Sequence, residues 1–214
     1  MEKALPHEKI VVDLQDKPAQ FVAIHRKALS DPDARGVVPV LEGDDDFVLA
    51  ESMVILDYLE DLAPADGQTA EQRARMRLFA ALFPGRLSSF PILKADAGSE
   101  EESAAVAKLR SDLRLINTFL EETGPGPFLL GPSFSYAECA VAPFVQRLVV
   151  VLPGLRPELD LKAWVREDGL DRLDAWLDAI CSRPSCVDSL PPPQEVVKSY
   201  GAMIERMKGI NQAA

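Results

Sequence analysis

The stretch Gly36-Val37-Val38-Pro39-Val40-Leu41 is rich in β-branched residues and predicts a short strand. Pro39 has no backbone N–H for a sheet ladder, so the strand lies at a sheet edge or ends at this residue. This position favours a cis Val38–Pro39 bond, because the cis form of an X-Pro bond costs only about 0.5–1 kcal/mol. A cis bond would turn the N–H and C=O of Val38 outward, where an extended peptide pairs with them as a further strand does.

A helix start follows the strand, in the stretch Glu51-Ser52-Met53-Val54-Ile55-Leu56-Asp57-Tyr58-Leu59. Apolar residues at positions 53, 55, 56, 59 and 62 approximate a helical stripe. Ser52 is suited to cap this helix and to donate to a ligand carboxylate, which the free N–H groups of a helix start also attract. Glu51 accepts from ammonium groups, so the pair suits the α-amino-acid end of a peptide. An ordinary capped helix after a hairpin has the same spacing, and this alternative stays open.

These strings occur with others in an order that resembles a cytosolic glutathione transferase. The similarity runs from about residue 3 to about residue 192, and the nearest class is the omega group. The resemblance implies an α+β fold with a thioredoxin-like N-terminal domain over residues 1–65 and an all-helical C-terminal domain over residues 68–214. The strings that carry it are Lys17-Pro18, Val38-Pro39, Glu51-Ser52, Phe128-Leu129-Leu130-Gly131 and Ser135-Tyr136-Ala137-Glu138.

The resemblance also implies a ligand, because omega-class proteins use glutathione as a co-substrate. They bind it through a lysine in a Lys-Pro step, a valine before a cis proline, and a Glu-Ser pair. The glutathione-binding residues implied for this chain are Lys17, Val38, Pro39, Glu51 and Ser52.

One departure from the family concerns its chemistry. In the family, the first strand and helix carry a Cys, Ser or Tyr that activates the thiol, and Glu2–His7 resembles the end of that helix. We therefore expect the first β–α unit to be absent, and we name no catalytic residue. A thiol with a pKa near 8.5 is mostly protonated at pH 7 without such a group. Lys9–Leu14 would lack its neighbouring strand, and Ile24–Gly36 is longer than the family's usual connection.

Two functional hypotheses follow, and whether this chain is an active enzyme stays open between them. The first is an omega-like glutathione transferase that conjugates an unknown electrophile or reduces a disulfide, with a role in detoxification. The second is a non-catalytic binding or scaffold subunit of a larger assembly. Elongation-factor-associated modules of the same fold are a weaker third option, because no appended segment suggests one. A homodimer and an assembly subunit are both compatible with the sequence.

Composition excludes some partners. The chain has 214 residues, 47% of them hydrophobic, and 23 basic against 34 acidic residues give a net charge of −11. This charge argues against binding to nucleic acid or to anionic membranes. The apolar stretch Cys139–Leu155 contains Pro143, Gln146, Arg147 and Pro153, which predicts a buried core helix rather than a membrane span. No signal segment is recognisable, so we expect a cytoplasmic location, with an organelle as the alternative.

The second half of the chain is predicted to be all-helical. A break at Ala63–Gly67 precedes it, and the patterns predict helices over residues 69–94, 102–123, 135–152, 170–182 and 194–208. Ser135 and Glu138 form a Ser-x-x-Glu capping box, which is a folding signal without chemistry.

The remaining candidates for chemistry are given none. Cys139, Cys181 and Cys186 lack metal-ligand spacing and are predicted to be reduced and mostly buried, so no metal is expected. His7 and His25 are predicted to be surface residues. Six aromatic residues either pack in the core or line a second-substrate pocket, and core packing is the favoured interpretation. They are Phe79, Phe83, Phe90, Phe144, Trp164 and Trp176.

Overall fold

Pro18 is the N-cap of the first helix, α1 (Ala19–Leu29). The helix ends at Ser30, whose φ of 53° is left-handed, and Arg26 and Lys27 lie in its last turn, where positive charge favours the helix dipole. The computed structural model describes residues 2–65 and 67–212. The chain divides into two compact units, Met1–Gln68 and Thr69–Ala214.

A hairpin follows α1 in the first unit. Strands β1 (Val40–Glu42) and β2 (Val48–Ala50) pair antiparallel. The turn between them uses positive φ angles at Asp45 and Asp46, which aspartate tolerates better than most residues. Helix α2 (Ser52–Leu62) begins directly after β2, and both α1 and α2 contact the hairpin.

The segment Lys9–Leu14 forms no strand in the first unit. Ile10 and Val11 are 73% and 83% exposed. An exposed segment needs no neighbouring strand, because water can satisfy its backbone groups. The sheet of the described residues therefore has two strands, β1 and β2.

The described part of the second unit consists of helices joined by loops, and its only β pairing is an isolated bridge between Phe128 and Gly131. This confirms the predicted fold class. Its helices are α3 (Ala70–Leu82), α4 (Phe90–Lys94), α5 (Glu100–Thr123), α6 (Tyr136–Leu155), α7 (Leu161–Glu167), α8 (Asp171–Ser182), α9 (Pro184–Ser189) and α10 (Pro193–Gln212).

The prediction of one helix over residues 69–94 is wrong. Helix α3 ends at Leu82, and a 3₁₀ turn over Pro84–Arg86 separates it from α4. Pro84 lacks the N–H that a continuing helix needs, and Gly85 adds backbone freedom, so the helix stops there. The sequence patterns also missed the short helices α7 and α9, which have too few residues to show a period.

Helix α6 is the centre of the second unit. By length and composition alone it could cross a membrane, but it contacts α3, α8 and α10 and contributes many residues to the core. Beside it, the rings of Phe79, Phe83, Phe119 and Trp176 pack with centroid separations of 4.6–5.6 Å. Helix α6 is therefore packed in the core of the unit, as predicted from its internal prolines and Arg147.

The carboxylate of Glu138 organises the start of α6. It is fully buried and accepts from the N–H of Leu129 at 2.7 Å, from the N–H and hydroxyl of Ser135 at 2.9 and 2.5 Å, and from the indole of Trp176 at 3.1 Å. Ser135 in turn accepts from the N–H of Ala137 at 3.2 Å. The predicted capping box is present, and it also joins the preceding loop and α8 to α6.

Candidate functional site

The Val38–Pro39 peptide bond is cis, as predicted. Val38 is 42% exposed, and its backbone forms no hydrogen bond to any of the described residues. The N–H and C=O of Val38 are therefore available to an external partner that approaches in an extended conformation.

The hairpin register brings this bond to the start of α2. Val40 pairs with Ala50 at the end of the ladder, so Pro39 and Glu51 occupy the next position on their respective strands. Val38 and Ser52 follow one step further from the hairpin turn. Two strings separated in sequence thus meet at one end of a short hairpin.

Glu51 has a backbone conformation that is unusual for a side-chain-bearing residue, with φ of 72° and ψ of 112°. Such a φ costs free energy outside glycine, and strained residues of this kind are frequent in ligand sites. The side chain of Glu51 is exposed, and its carboxylate has no partner among the described residues.

Ser52 is the first residue of α2 and does not cap it, which corrects the sequence prediction. The N-cap is Glu51, and neither side chain bonds a first-turn N–H. A cap needs a residue outside the helical conformation, whereas Ser52 is already helical. Its exposed hydroxyl has no partner in the described chain, and the first N–H groups of α2 lack a side-chain acceptor.

Lys17 reaches the same segment from the other side. Its ammonium group donates to the carbonyl oxygens of Gly36 at 2.9 Å and Arg35 at 3.3 Å. A Cβ on Gly36, which has φ of +71°, would lie 3.1 Å from Val22 and 3.2 Å from Phe21 of α1, so glycine permits this close approach. Two of the three donors of Lys17 are used on carbonyls, and no carboxylate neutralises the charge within the described residues.

We call the set Lys17, Val38, Pro39, Glu51 and Ser52 the hairpin-end site. It presents the carboxylate of Glu51, the hydroxyl of Ser52 beside the uncapped N–H groups of α2, the N–H and C=O of Val38, and the ammonium of Lys17. These groups complement an extended molecule with an amino-acid end, a peptide middle and a second carboxylate.

The longer connection Ile24–Gly36 is ordered. Its first part continues α1, and Nε of Arg26 then donates to the carbonyl of Ala34 at 3.0 Å.

The prediction that His25 is a surface residue is wrong, because it is only 3% exposed and its Nδ1 has no partner among the described residues. His25 lies on the hairpin-facing side of an amphipathic helix, which the helical period of α1 could have indicated. His7 is exposed, as predicted.

The three cysteines are thiols outside any disulfide. Cys186 is buried, and Cys139 and Cys181 are half-buried. Burial raises the pKa of the Cys181 thiol, which favours its protonated form. No cluster of His, Cys, Asp or Glu among the described residues is arranged to hold a metal ion.

The aromatic candidates fall into two groups by their surroundings. Phe79, Phe83 and Trp176 are buried in the core, and Trp164 is 9% exposed. Phe90 and Phe144 instead line a cavity within the helical unit. Arg147, which the sequence marked only as a polar interruption of the apolar stretch Cys139–Leu155, also lines that cavity.

Comparison with known proteins gives matches over both units. The family model for the glutathione S-transferase N-terminal domain matches residues 1–62, and that for the C-terminal domain matches residues 68–179. A rice protein named probable glutathione S-transferase DHAR1, cytosolic, is 25% identical over 95% of this chain and 84% of its own length. Maize protein IN2-1 is 32% identical, and rat glutathione S-transferase omega-2 is 29% identical. Those two matches cover 70% and 69% of this chain, and 57% and 58% of the relatives.

Solved structures share the fold. Glutathione transferase Omega 3C from Trametes versicolor superposes with a TM-score of 0.74 at 23% identity, over 97% of this chain and 83% of that one. Dehydroascorbate reductase from Chlamydomonas reinhardtii superposes with a TM-score of 0.67 at 23% identity, over 93% of this chain and 83% of that one.

Proposed function

The chain belongs to the glutathione S-transferase family, and on that basis we propose that its hairpin-end site binds glutathione for reduction or conjugation. The observation that carries the proposal is a group of polar atoms at one end of the hairpin that have no partner in the described chain: the carboxylate of Glu51, the hydroxyl of Ser52 and the backbone of Val38. Here they lie together beside a cis Val38–Pro39 bond.

The γ-glutamyl end of glutathione carries an ammonium and a carboxylate on one carbon. In the proposal, the carboxylate of Glu51 accepts from the ammonium. The hydroxyl of Ser52 and the uncapped N–H groups of α2 donate to the carboxylate, which the positive end of the helix dipole also favours.

The rest of glutathione extends along the segment before β1. The backbone of Val38 pairs with the cysteinyl residue of the peptide, as an added strand does. The remaining donor of Lys17 binds the glycine carboxylate, and its bonds to Gly36 and Arg35 hold the ammonium in place before the ligand arrives.

The reaction that we favour is glutathione-dependent reduction of a disulfide or a dehydroascorbate-like acceptor, with conjugation of an electrophile as the second candidate. The relatives named DHAR, together with the fold shared with a dehydroascorbate reductase, support reduction, while the omega-class relatives are compatible with both. The non-catalytic alternative gains no support from these relatives.

A cytoplasmic location agrees with the cytosolic rice relative, and a chloroplastic Arabidopsis relative keeps an organelle as the alternative. A homodimer and a role in detoxification stay predictions.

Calorimetric titration with glutathione tests the binding proposal. Charge-assisted hydrogen bonds contribute about 1.5–3 kcal/mol each, so Ser52→Ala should weaken affinity about tenfold or more. Glu51→Gln and Lys17→Met should each weaken it by a similar factor. Ser111→Ala, which removes an exposed hydroxyl in the helical unit, is the matched control and should bind as the wild type does.

Turnover assays then distinguish the two reactions. Rates with a glutathione mixed disulfide and with dehydroascorbate are compared with the rate for a generic electrophile across pH 6 to 9. Unchanged glutathione affinity in all three variants would remove the hairpin-end site from the proposal, whatever the assays give. Binding with conjugation alone would overturn the preference for reduction.

A further inference from the structure

Residues 8–14 of the first unit form an apolar segment that the fold leaves uncovered. Ile10 and Val11 are among its most exposed side chains, and Leu14 is 49% exposed. The backbone N–H and C=O groups of residues 8–13 bond to none of the described residues. A row of unpaired backbone groups between apolar side chains is a template for pairing with another chain.

The local conformation of this segment suits a strand. Ile10, Val11 and Val12 are consecutive β-branched residues. No turn or bend interrupts residues 5–13, and none of them has a positive φ. The carboxylate of Asp13 then ends the segment, because its Oδ1 accepts from the N–H of Gln15 at 2.8 Å. The segment can therefore lie along another strand without refolding.

The charged side chains of the segment share one face. Successive side chains of a strand point to opposite faces, so Lys9, Val11 and Asp13 lie together. All three are exposed, whereas Val12 on the other face is half-buried. The ammonium of Lys9 has no carboxylate partner within the described residues, and Oδ2 of Asp13 accepts no hydrogen bond from them.

This face is complementary to itself. If two copies pair antiparallel about a two-fold axis at Val11, Val11 meets Val11 of the second copy and Ile10 meets Val12. Lys9 of each copy then lies opposite Asp13 of the other, so unlike charges face each other on both sides of the valine pair. The neighbouring two-fold registers, centred on Ile10 or Val12, would instead place Lys9 or Asp13 opposite Val11.

We propose that residues 8–14 are a self-association surface, through which two copies of this chain form a two-stranded antiparallel ribbon centred on Val11. Backbone hydrogen bonds between the copies replace those to water, and the exposed valine side chains are covered. The net charge of −11 on each chain opposes association, which the two Lys9–Asp13 pairs offset locally. A short two-stranded ribbon is marginal by itself, so the dimer is reversible. This surface goes beyond the proposed glutathione function and does not depend on it.

Sedimentation equilibrium of the full chain over a series of concentrations, without glutathione, tests the proposal. The wild type should show a reversible equilibrium between monomer and dimer. Lys9→Glu places like charges opposite each other at both ends of the ribbon and should weaken association about tenfold. Lys9→Arg keeps the charge and should associate as the wild type does. Lys198→Glu, an exposed position on α10, changes the net charge equally and should have little effect.

A mixing experiment tests the register. Asp13→Lys should also weaken association of the chain with itself. In an equimolar mixture with Lys9→Glu, every cross-strand charge pair between the two variants is again of unlike sign, so association should return. Asp13→Lys loses the acceptor for Gln15, and thermal melting establishes whether it is folded. If it is not, the comparison of Lys9→Glu with Lys9→Arg and Lys198→Glu decides the outcome.

Hydrogen exchange locates the contact. Amides of residues 9–13 should exchange more slowly at high than at low concentration of the wild type, and equally fast at both in Lys9→Glu. The proposal is wrong if the chain is a monomer at every concentration, or if Lys198→Glu weakens association as much as Lys9→Glu does. A dimer in which residues 9–13 stay unprotected would place the interface on another surface and would also overturn it.

Discussion

Two helix starts in this chain use the same pair of residue types and differ in what the side chains bind. At α6, Ser135 and Glu138 bond each other, the first turn, the preceding loop and Trp176. At α2, the side chains of Glu51 and Ser52 bond none of the described residues. The first pair holds a fold together, and the second leaves its polar groups available to a ligand.

The difference follows from burial. A buried carboxylate must have its hydrogen bonds satisfied within the protein, since desolvation without partners is costly. An exposed carboxylate keeps water as a partner until a ligand replaces it. Substitutions at the two helix starts should therefore divide cleanly between stability and binding.

The largest expected effect is that of Glu138→Gln. The amide NH₂ would face donors that now point at a carboxylate oxygen, and buried donors left unpaired cost about 1–3 kcal/mol each. We expect the free energy of unfolding to fall by about 2–4 kcal/mol, measured by urea unfolding with tryptophan fluorescence. Glu51→Gln is the matched variant at the other helix start.

Glu51→Gln should change the free energy of unfolding by no more than about 0.5 kcal/mol, as exposed substitutions usually do. A loss of less than about 1 kcal/mol in Glu138→Gln would show that the buried carboxylate is not needed for stability. An equal loss in the two variants would remove the distinction between the helix starts.

Substitution of the serine at each helix start should give a smaller difference in the free energy of unfolding. Ser135 accepts from the N–H of Ala137 as the N-cap of α6, so Ser135→Ala should cost about 1 kcal/mol, within the 0.5–2 kcal/mol usual for caps. Ser52 makes no cap bond, and Ser52→Ala should cost only a few tenths, because alanine is a good helix former. Thermal melts of both variants give the measurement. Comparable losses would mean that Ser52 does stabilise α2.

The local features of these helix starts were predictable from the sequence. The cis Val38–Pro39 bond and the capping box of α6 were predicted correctly because each depends on neighbouring residues. The prediction that Ser52 caps α2 was wrong. Whether Glu51 or Ser52 is the N-cap depends on their backbone angles, which residue spacing does not give. Pro84 is a helix-breaking residue in the sequence, but the apolar pattern continues on both sides of it, so the end of α3 was not predicted.

Long-range features were not predictable. The fourth hydrogen bond of Glu138 comes from Trp176 on α8, and the cavity at Arg147 needs residues from the segment before α4 and from α10. Such contacts join residues that no periodic pattern relates. The burial of His25 depends likewise on the packing of α1 against the hairpin.

The smallest expected effect concerns Asp168, a paired carboxylate at the end of α7. It binds Arg110 at 2.6 Å and Arg114 at 2.8 Å. The hydrogen bond from Arg110 holds the pKa of Asp168 below its ordinary value, with the charges of both arginines acting in the same direction. The folded state therefore takes up this proton at lower pH than the unfolded state does.

That order fixes the sign of the pH dependence. The pair stabilises the folded state fully above the ordinary aspartate pKa of about 4, and this contribution is lost as pH falls below it. At pH 6 the melting temperature of Asp168→Asn should be lower than that of the wild type. The difference between the two melting temperatures should narrow as the pH is lowered from 4 towards 2. Asp188→Asn, an exposed position without an ion pair in the described chain, is the control and should show no such narrowing. A gap between wild type and Asp168→Asn that is the same at every pH would mean that Asp168 contributes through packing of its side chain, and that its pairing with Arg110 adds nothing to stability.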